Sequence, residues 1–108
     1  MSGKMVTVIV DRPLGSFHPE YKELRYPLNY GYIEGEFSLD GEEMDAYILG
    51  VDVPLCTFRG KVIAIIHRLD DIEDKLVVAP EDAVFSKEEV ISHTAFVEQY
   101  FQIEVQMV

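Results

Sequence analysis

Three carboxylates, Asp40, Glu42 and Asp45, fall within six residues around a glycine turn, Asp40-Gly41-Glu42-Glu43-Met44-Asp45. A second set, Asp70, Asp71, Glu73 and Asp74, follows the most apolar stretch of the chain. Two like charges about 4 Å apart repel by roughly 4 kcal/mol at an effective dielectric near 20, so converging turns of this kind need a cation or must take up protons. Donors that are all oxygen select Mg²⁺, Mn²⁺ or Ca²⁺ over zinc. The calcium-loop pattern D-x-[DN]-x-[DN]-G with a later glutamate is not met. The same residues also suit two solvated turns, because Asp-Gly is ordinary hairpin chemistry and charge runs commonly face water.

Just upstream stands Tyr26-Pro27-Leu28-Asn29-Tyr30-Gly31-Tyr32-Ile33. Taken alone, Tyr26, Tyr30 and Tyr32 read as packing residues of a sheet, and Lys75 as an edge charge. His18, His67 and His93 have no partner at the i, i+4 spacing of a helical metal site, and His67 reads as structural.

A chain of 108 residues can bury one modest core, which predicts one domain. Nine basic against twenty acidic residues leave a formal charge of −11, adverse to nucleic acid and to anionic membranes. No basic stripe accompanies the aromatics, so a nucleic-acid role is disfavoured. A small anion would then need a cationic pocket or a bound metal ion. Cys56 is the single cysteine, so no internal disulfide and no Cys-rich zinc site can form, and a reducing, cytoplasmic setting fits best. The apolar run at Met5 to Val10 is too short for a signal-peptide core, and no stretch approaches a membrane span.

The elements that must position these residues follow from the pattern. Met5 to Val10 is β-branched and predicts a strand ending at Asp11-Arg12-Pro13. Leu14 to Arg25, broken by Gly15 and Pro19, predicts a long shaped loop. Asn29 to Gly35 and Asp45 to Gly50 suit strands flanking the Asp40-Gly41 turn. Phe58-Arg59-Gly60 reads as a turn before a strand at Lys61 to Leu69, buried on both faces, and another strand follows at Lys75 to Ala79. Ser86-Lys87-Glu88-Glu89 is a capping box, predicting a helix of about four turns to about Tyr100 that buries Val90, Val97 and Phe101. The tail alternates, which turns Ile103, Val105 and Met107 inward. Together these elements predict a mainly β fold, a small, mostly antiparallel barrel with a C-terminal helix packed on it.

In order and spacing, Tyr26-Pro-Leu-Asn-Tyr30-Gly-Tyr-Ile followed by Asp40-Gly-Glu42 and Asp45 resembles the core of the soluble, metal-dependent inorganic pyrophosphatase family, without a gap. Asp70-Asp71-Ile-Glu73-Asp74-Lys75-Leu-Val-Val-Ala-Pro80 continues the likeness, and Phe96-Val97-Glu98-Gln99-Tyr100 is similar to that family's late helix. The resemblance implies an OB-like barrel and Mg²⁺, with Mn²⁺ as a substitute. It implies metal ligands at Asp40, Asp45 and Asp70, a further one from Glu73 or Asp74, and Asp11 in place of an early glutamate. Counting back from Lys75 favours Glu73. Glu42 falls where the family has the base for the attacking water, and Asp45 belongs to the same catalytic group. Tyr30, Lys75 and Tyr100 would contact phosphate, and Tyr26 would line the site.

Departures accompany the match. Glu42 lengthens an aspartate by a methylene, Glu43 replaces a turn proline, and Phe101 stands where a phosphate-binding lysine is expected. The N-terminal third is short, leaving Arg12, Arg25, Lys22 or His18 to supply the missing cation, with Arg12 placed among the substrate-binding residues. The implied activity is hydrolysis of pyrophosphate to orthophosphate by in-line attack of an activated water. The alternatives are another small phosphoanhydride such as a nucleotide, or a non-catalytic binding or oligomerising module. The alternating tail also exposes an edge suited to a homo-oligomer.

Overall fold

The computed structural model describes residues 3–37, 41–70 and 73–108. Asp40 and Asp71 therefore lie outside the described residues. The chain runs β1 (Met5–Arg12), β2 (Asn29–Phe37), β3 (Glu43–Ile48), β4 (Thr57–Arg68), β5 (Asp74–Ala79), α1 (Lys87–Glu98) and β6 (Ile103–Met107). The strands are hydrogen-bonded in the order β1-β2-β3-β5-β4-β6, and a further β1–β4 pairing closes the first five into a barrel. The expected barrel with one late helix is what forms. All pairings are antiparallel except β3–β5, which is parallel.

Strand β4 is long enough to serve two neighbours on one side. Thr57 to Lys61 pair with β1, and Ala64 to Arg68 pair with β6. Its start corrects the turn expected at Phe58-Arg59-Gly60, since these residues lie inside the strand. Gly60 is there for close approach. A Cβ at this position would meet Phe58 Cε2 at 2.4 Å and the Ala79 carbonyl oxygen at 2.6 Å.

Alternation along the strands sorts side chains to two sides of the barrel wall. Val6, Val8, Ile33, Ala46, Ile48, Val62, Leu76 and Val78 fill one buried cluster. Tyr26, Tyr30, Tyr47, Ile66, Val77 and Ala79 form the second, against which Phe85, Phe96 and Ile103 pack and which Val90 of the helix completes. The same parity places Asp45 with Tyr47, Arg68 with Ile66, and Glu73 and Lys75 with Val77. All four charged groups therefore share the helix side of the wall.

The capping box forms as expected. Glu89 N–H donates to Ser86 Oγ, and the Ser86 N–H donates to the Glu89 carboxylate. The helix stops at Glu98, short of the expected Tyr100, and its fully buried positions are Val90, Thr94 and Glu98. Val97 and Phe101 are only partly buried, because the i, i+4 stripe facing the sheet runs through 90, 94 and 98. In β6, Val105 is buried and Ile103 half-buried, whereas Met107 is exposed, beyond the cover of the helix.

Two residues of the Tyr-Pro-Leu-Asn-Tyr-Gly stretch are structural. Asn29 is fully buried; its Oδ1 accepts from Leu14 N–H and Leu55 N–H, and its Nδ2 donates to the Val53 carbonyl. One amide thus ties the loop before β2 to the β3–β4 connection. Gly31 lets β1 approach, since a Cβ there would lie 1.9 Å from the Ile9 carbonyl oxygen. Gly31→Ala should therefore force β1 and β2 apart and cost about 3 kcal/mol or more of unfolding free energy, measured by urea denaturation.

Candidate active site

A cavity of about 810 Å³ opens on the helix side of the barrel, walled by β1, the loop after it, β2 to β5 and the residues closing the helix. At its floor Lys75 is buried, and its ammonium donates to Asp45 Oδ2 at 2.6 Å, Glu73 Oε1 at 2.8 Å and Tyr30 Oη at 2.9 Å. Tyr30 in turn donates to Asp45 Oδ2 at 2.8 Å. All three ammonium hydrogens are spent on this set. Burial, followed by the charge of Asp45, pushes the Tyr30 phenol far above its usual pKa.

A second set lies beside it. Arg68 forks onto Glu98, with Nε to Oε1 at 3.0 Å and Nη2 to Oε2 at 2.6 Å, and Tyr47 Oη donates to Glu98 Oε2 at 2.6 Å. Burial opposes the Arg68 charge, but the hydrogen bonds and charge of Glu98 outweigh it and raise the guanidinium pKa. The Tyr47 phenol is also raised, first by burial and then by Glu98. Glu73 joins the two sets: its Oε2 lies 3.6 Å from Arg68 Nη1.

The opposite wall comes from β1 and its loop. Arg12 Nη1 donates to Tyr26 Oη at 2.7 Å, and its guanidinium stands 5.7 and 5.6 Å from the Tyr26 and Tyr30 ring centres. Among the basic residues left open by the sequence, Arg12 and His18 reach the cavity, and Lys22 and Arg25 do not line it. His18 Nδ1 accepts from the Glu20 and Tyr21 N–H groups, which leaves the proton of a neutral ring on Nε2. Asp11 also lines the cavity, and partial burial holds its carboxyl above the usual carboxylate value, with Arg12 opposing.

Of the sequence-derived site residues, the fold brings Asp11, Arg12, Tyr26, Tyr30, Asp45, Glu73, Lys75 and Tyr100 to one cavity. It does not bring Asp74, which pairs with His67 Nδ1 at 3.2 Å across β4–β5 on the other face, one residue out of phase with Glu73 and Lys75. His67 also meets Gln106, as befits a structural histidine. Asp70 lies in the turn after β4, where a carboxylate oxygen accepts from Gln102 N–H at 3.3 Å. Glu42 is exposed in the turn entering β3, outside the cavity lining. Sequence reasoning missed Arg68, Tyr47 and Glu98; the one available signal was that Arg68 shares strand parity with the buried Ile66.

The inorganic pyrophosphatase family profile matches residues 4–105 of this sequence. The chain belongs to the inorganic pyrophosphatase family. It is 35% identical over 66 residues to soluble inorganic pyrophosphatase 2 of Chlamydomonas reinhardtii, covering 57% of this chain and 34% of that one. It is 32% identical over 79 residues to the inorganic pyrophosphatase of Halobacterium salinarum, covering 69% and 41%. The chain thus spans well under half of these curated relatives. Its fold matches the crystal structure of inorganic pyrophosphatase from Ehrlichia chaffeensis with a TM-score of 0.74 at 19% identity, over 100% of this chain and 88% of that one. Among the described residues no helix is long and apolar enough to cross a membrane.

Pyrophosphatase membership implies a divalent-metal requirement. The donors here suit a hard cation: Asp45 and Glu73 are part-exposed carboxylates bracketing one position, with Asp11 on the same cavity. Among the described residues no three His, Cys, Asp or Glu side chains form a ready metal cluster. Asp45 and Glu73 currently share the Lys75 ammonium as their cation.

Because the phenols of Tyr30 and Tyr47 are held neutral by the fold, their contribution to stability is complete below the unfolded tyrosine value, about pH 10, and is lost as pH rises above it. Ultraviolet difference titration should therefore find fewer than the six tyrosines ionising before alkaline unfolding, the remainder appearing together with it.

Proposed function

We propose that this chain hydrolyses inorganic pyrophosphate to two orthophosphates in the presence of Mg²⁺, which Mn²⁺ can replace. The observation that carries the reading is the hydrogen-bonded set of Asp45, Glu73, Tyr30 and Lys75 on the floor of one cavity in a chain of this family. Asp45, Glu73 and Asp11 would hold the metal, and the family resemblance adds Asp70, in the turn after β4, and Asp40, which lies outside the described residues. A divalent ion, when bound, offsets the charge of the substrate and makes water a stronger acid. Glu42, exposed in the turn leading to Asp45 and outside the cavity lining, is assigned as the base for the attacking water on the family resemblance alone. Lys75 and Tyr30 would turn hydrogens now given to Glu73 and Asp45 to phosphate oxygens once those carboxylates hold the metal, Arg12 faces the cavity with its charge, and Tyr100 closes the rim. Tyr26, whose hydroxyl is engaged by Arg12, orients that guanidinium.

A second reading, a nucleoside phosphoanhydride as substrate, is favoured by the exposed rings of Tyr21 and Tyr100 at the cavity rim, 66% and 74% accessible. The barrel and helix act as one domain in either case. The exposed Cys56 thiol suits a reducing cytoplasm, and the edge of β6, with Met107 exposed, suits a homo-oligomer.

Orthophosphate release from pyrophosphate and from nucleotides, with and without Mg²⁺, tests the assignment. Release from pyrophosphate should require the metal and fall on the order of a hundredfold in Asp45→Asn. Glu42→Gln should lower kcat by a similar order with little change in metal affinity. Metal-independent release, or release indifferent to Asp45, contradicts the site. Release from nucleotides alone supports the second reading, and silence on both substrates leaves only a binding module.

A further inference from the structure

We propose that Arg68 is a phosphate-binding residue of this cavity, and that a phosphoryl group seats between Arg68 and Lys75 in the place held by the Glu73 carboxylate. The inference rests on the reading of the cavity as a phosphoanhydride site. Its support is geometric. Glu73 offers Oε1 to Lys75 at 2.8 Å and Oε2 to Arg68 Nη1 at 3.6 Å, so one carboxylate spans the two cations. A phosphoryl O–P–O edge has similar reach, and a guanidinium fork suits it. Glu73 is about one-third exposed, whereas Arg68 and Lys75 have side-chain exposures of 8% and 5%. The anion in the middle is therefore the solvent-accessible member, and the two cations are buried behind it.

Arg68 is also built to stay put. Nε and Nη2 are committed to Glu98, and the guanidinium lies 3.8 Å from the centre of the Phe101 ring. These contacts hold the plane and aim Nη1 towards Glu73 and the cavity. Phe101, at the position where a lysine was expected, thus holds an arginine in the cavity. A cation therefore reaches the cavity from β4 rather than from the helix end.

A purely structural Arg68 would only tether α1 to the barrel, and the test must separate the two roles. Arg68→Met alone strands the buried Glu98 carboxylate and destabilises the fold, so Arg68→Met with Glu98→Gln is compared with Glu98→Gln alone. Orthophosphate affinity is read by calorimetry in Mg²⁺, and KM and kcat for pyrophosphate by orthophosphate release, on variants with near-wild-type melting. The double variant should lose about tenfold or more in orthophosphate affinity and gain a similar factor in KM relative to Glu98→Gln, with adding Phe101→Lys recovering much of it. Glu98→Gln alone, which leaves Arg68 less neutralised, should bind orthophosphate at least as tightly as wild type. Equal affinities for the double and single variants, or equal weakening of both relative to wild type, overturns the proposal, as does a wild-type chain that binds no orthophosphate. If wild type binds orthophosphate and Arg68 matters but pyrophosphate is not hydrolysed, the assigned reaction fails and the phosphate site stands.

Discussion

A single buried ammonium sets the terms for the site. Lys75 is almost without water contact, so its charge is tolerable only because Asp45, Glu73 and Tyr30 take all its hydrogens. Those partners come from β3, the approach to β5 and β2, which are neighbours in the barrel only through the parallel β3–β5 pairing and the β2–β3 hairpin. Closure of the barrel and assembly of the charged floor are thus one event.

The surrounding contacts read as supports for that floor. Asn29 ties the loop before β2 to the β3–β4 connection, and Arg12 with Tyr26 fixes the first wall. Arg68, Glu98 and Tyr47 tether the helix to the barrel through a fully paired buried cluster. Removing one charge from such a cluster typically costs about 3–5 kcal/mol, because the other is left buried and uncompensated. The aromatic rings of Tyr26, Tyr30, Tyr47 and Phe96, stacked edge and tilt from 4.9 to 5.9 Å apart, fill the space between the two polar sets.

Much of this was legible in the sequence, for physical reasons that differ by residue. Counting back from Lys75 favoured Glu73, but Asp74 stayed a candidate until strand alternation in the fold turned it to the other face, whereas Ser86 with Glu89 marked the helix start by local hydrogen bonding. Gly60 misled because a glycine needed for close packing has the same letter as one needed for a turn. Arg68 and Glu98 were not legible: at a strand end and on a helix they look like solvent residues, and only the seating of the helix over the sheet buries them. The site's family was carried by ordered spacing from Tyr26 to Lys75, since each tyrosine or carboxylate alone has an ordinary structural use.

The cavity's charge balance carries the central claim. The Lys75 hydrogens are already committed and Asp45 and Glu73 face the same space, so a polyanion enters only together with a divalent cation. Calorimetric titration with a non-hydrolysable methylene diphosphonate tests this most directly. Binding should be at least about tenfold tighter with Mg²⁺ than with the metal chelated, and the diphosphonate should tighten Mg²⁺ binding by the same factor. Equal affinity with and without the metal, or no binding in either, would contradict the account.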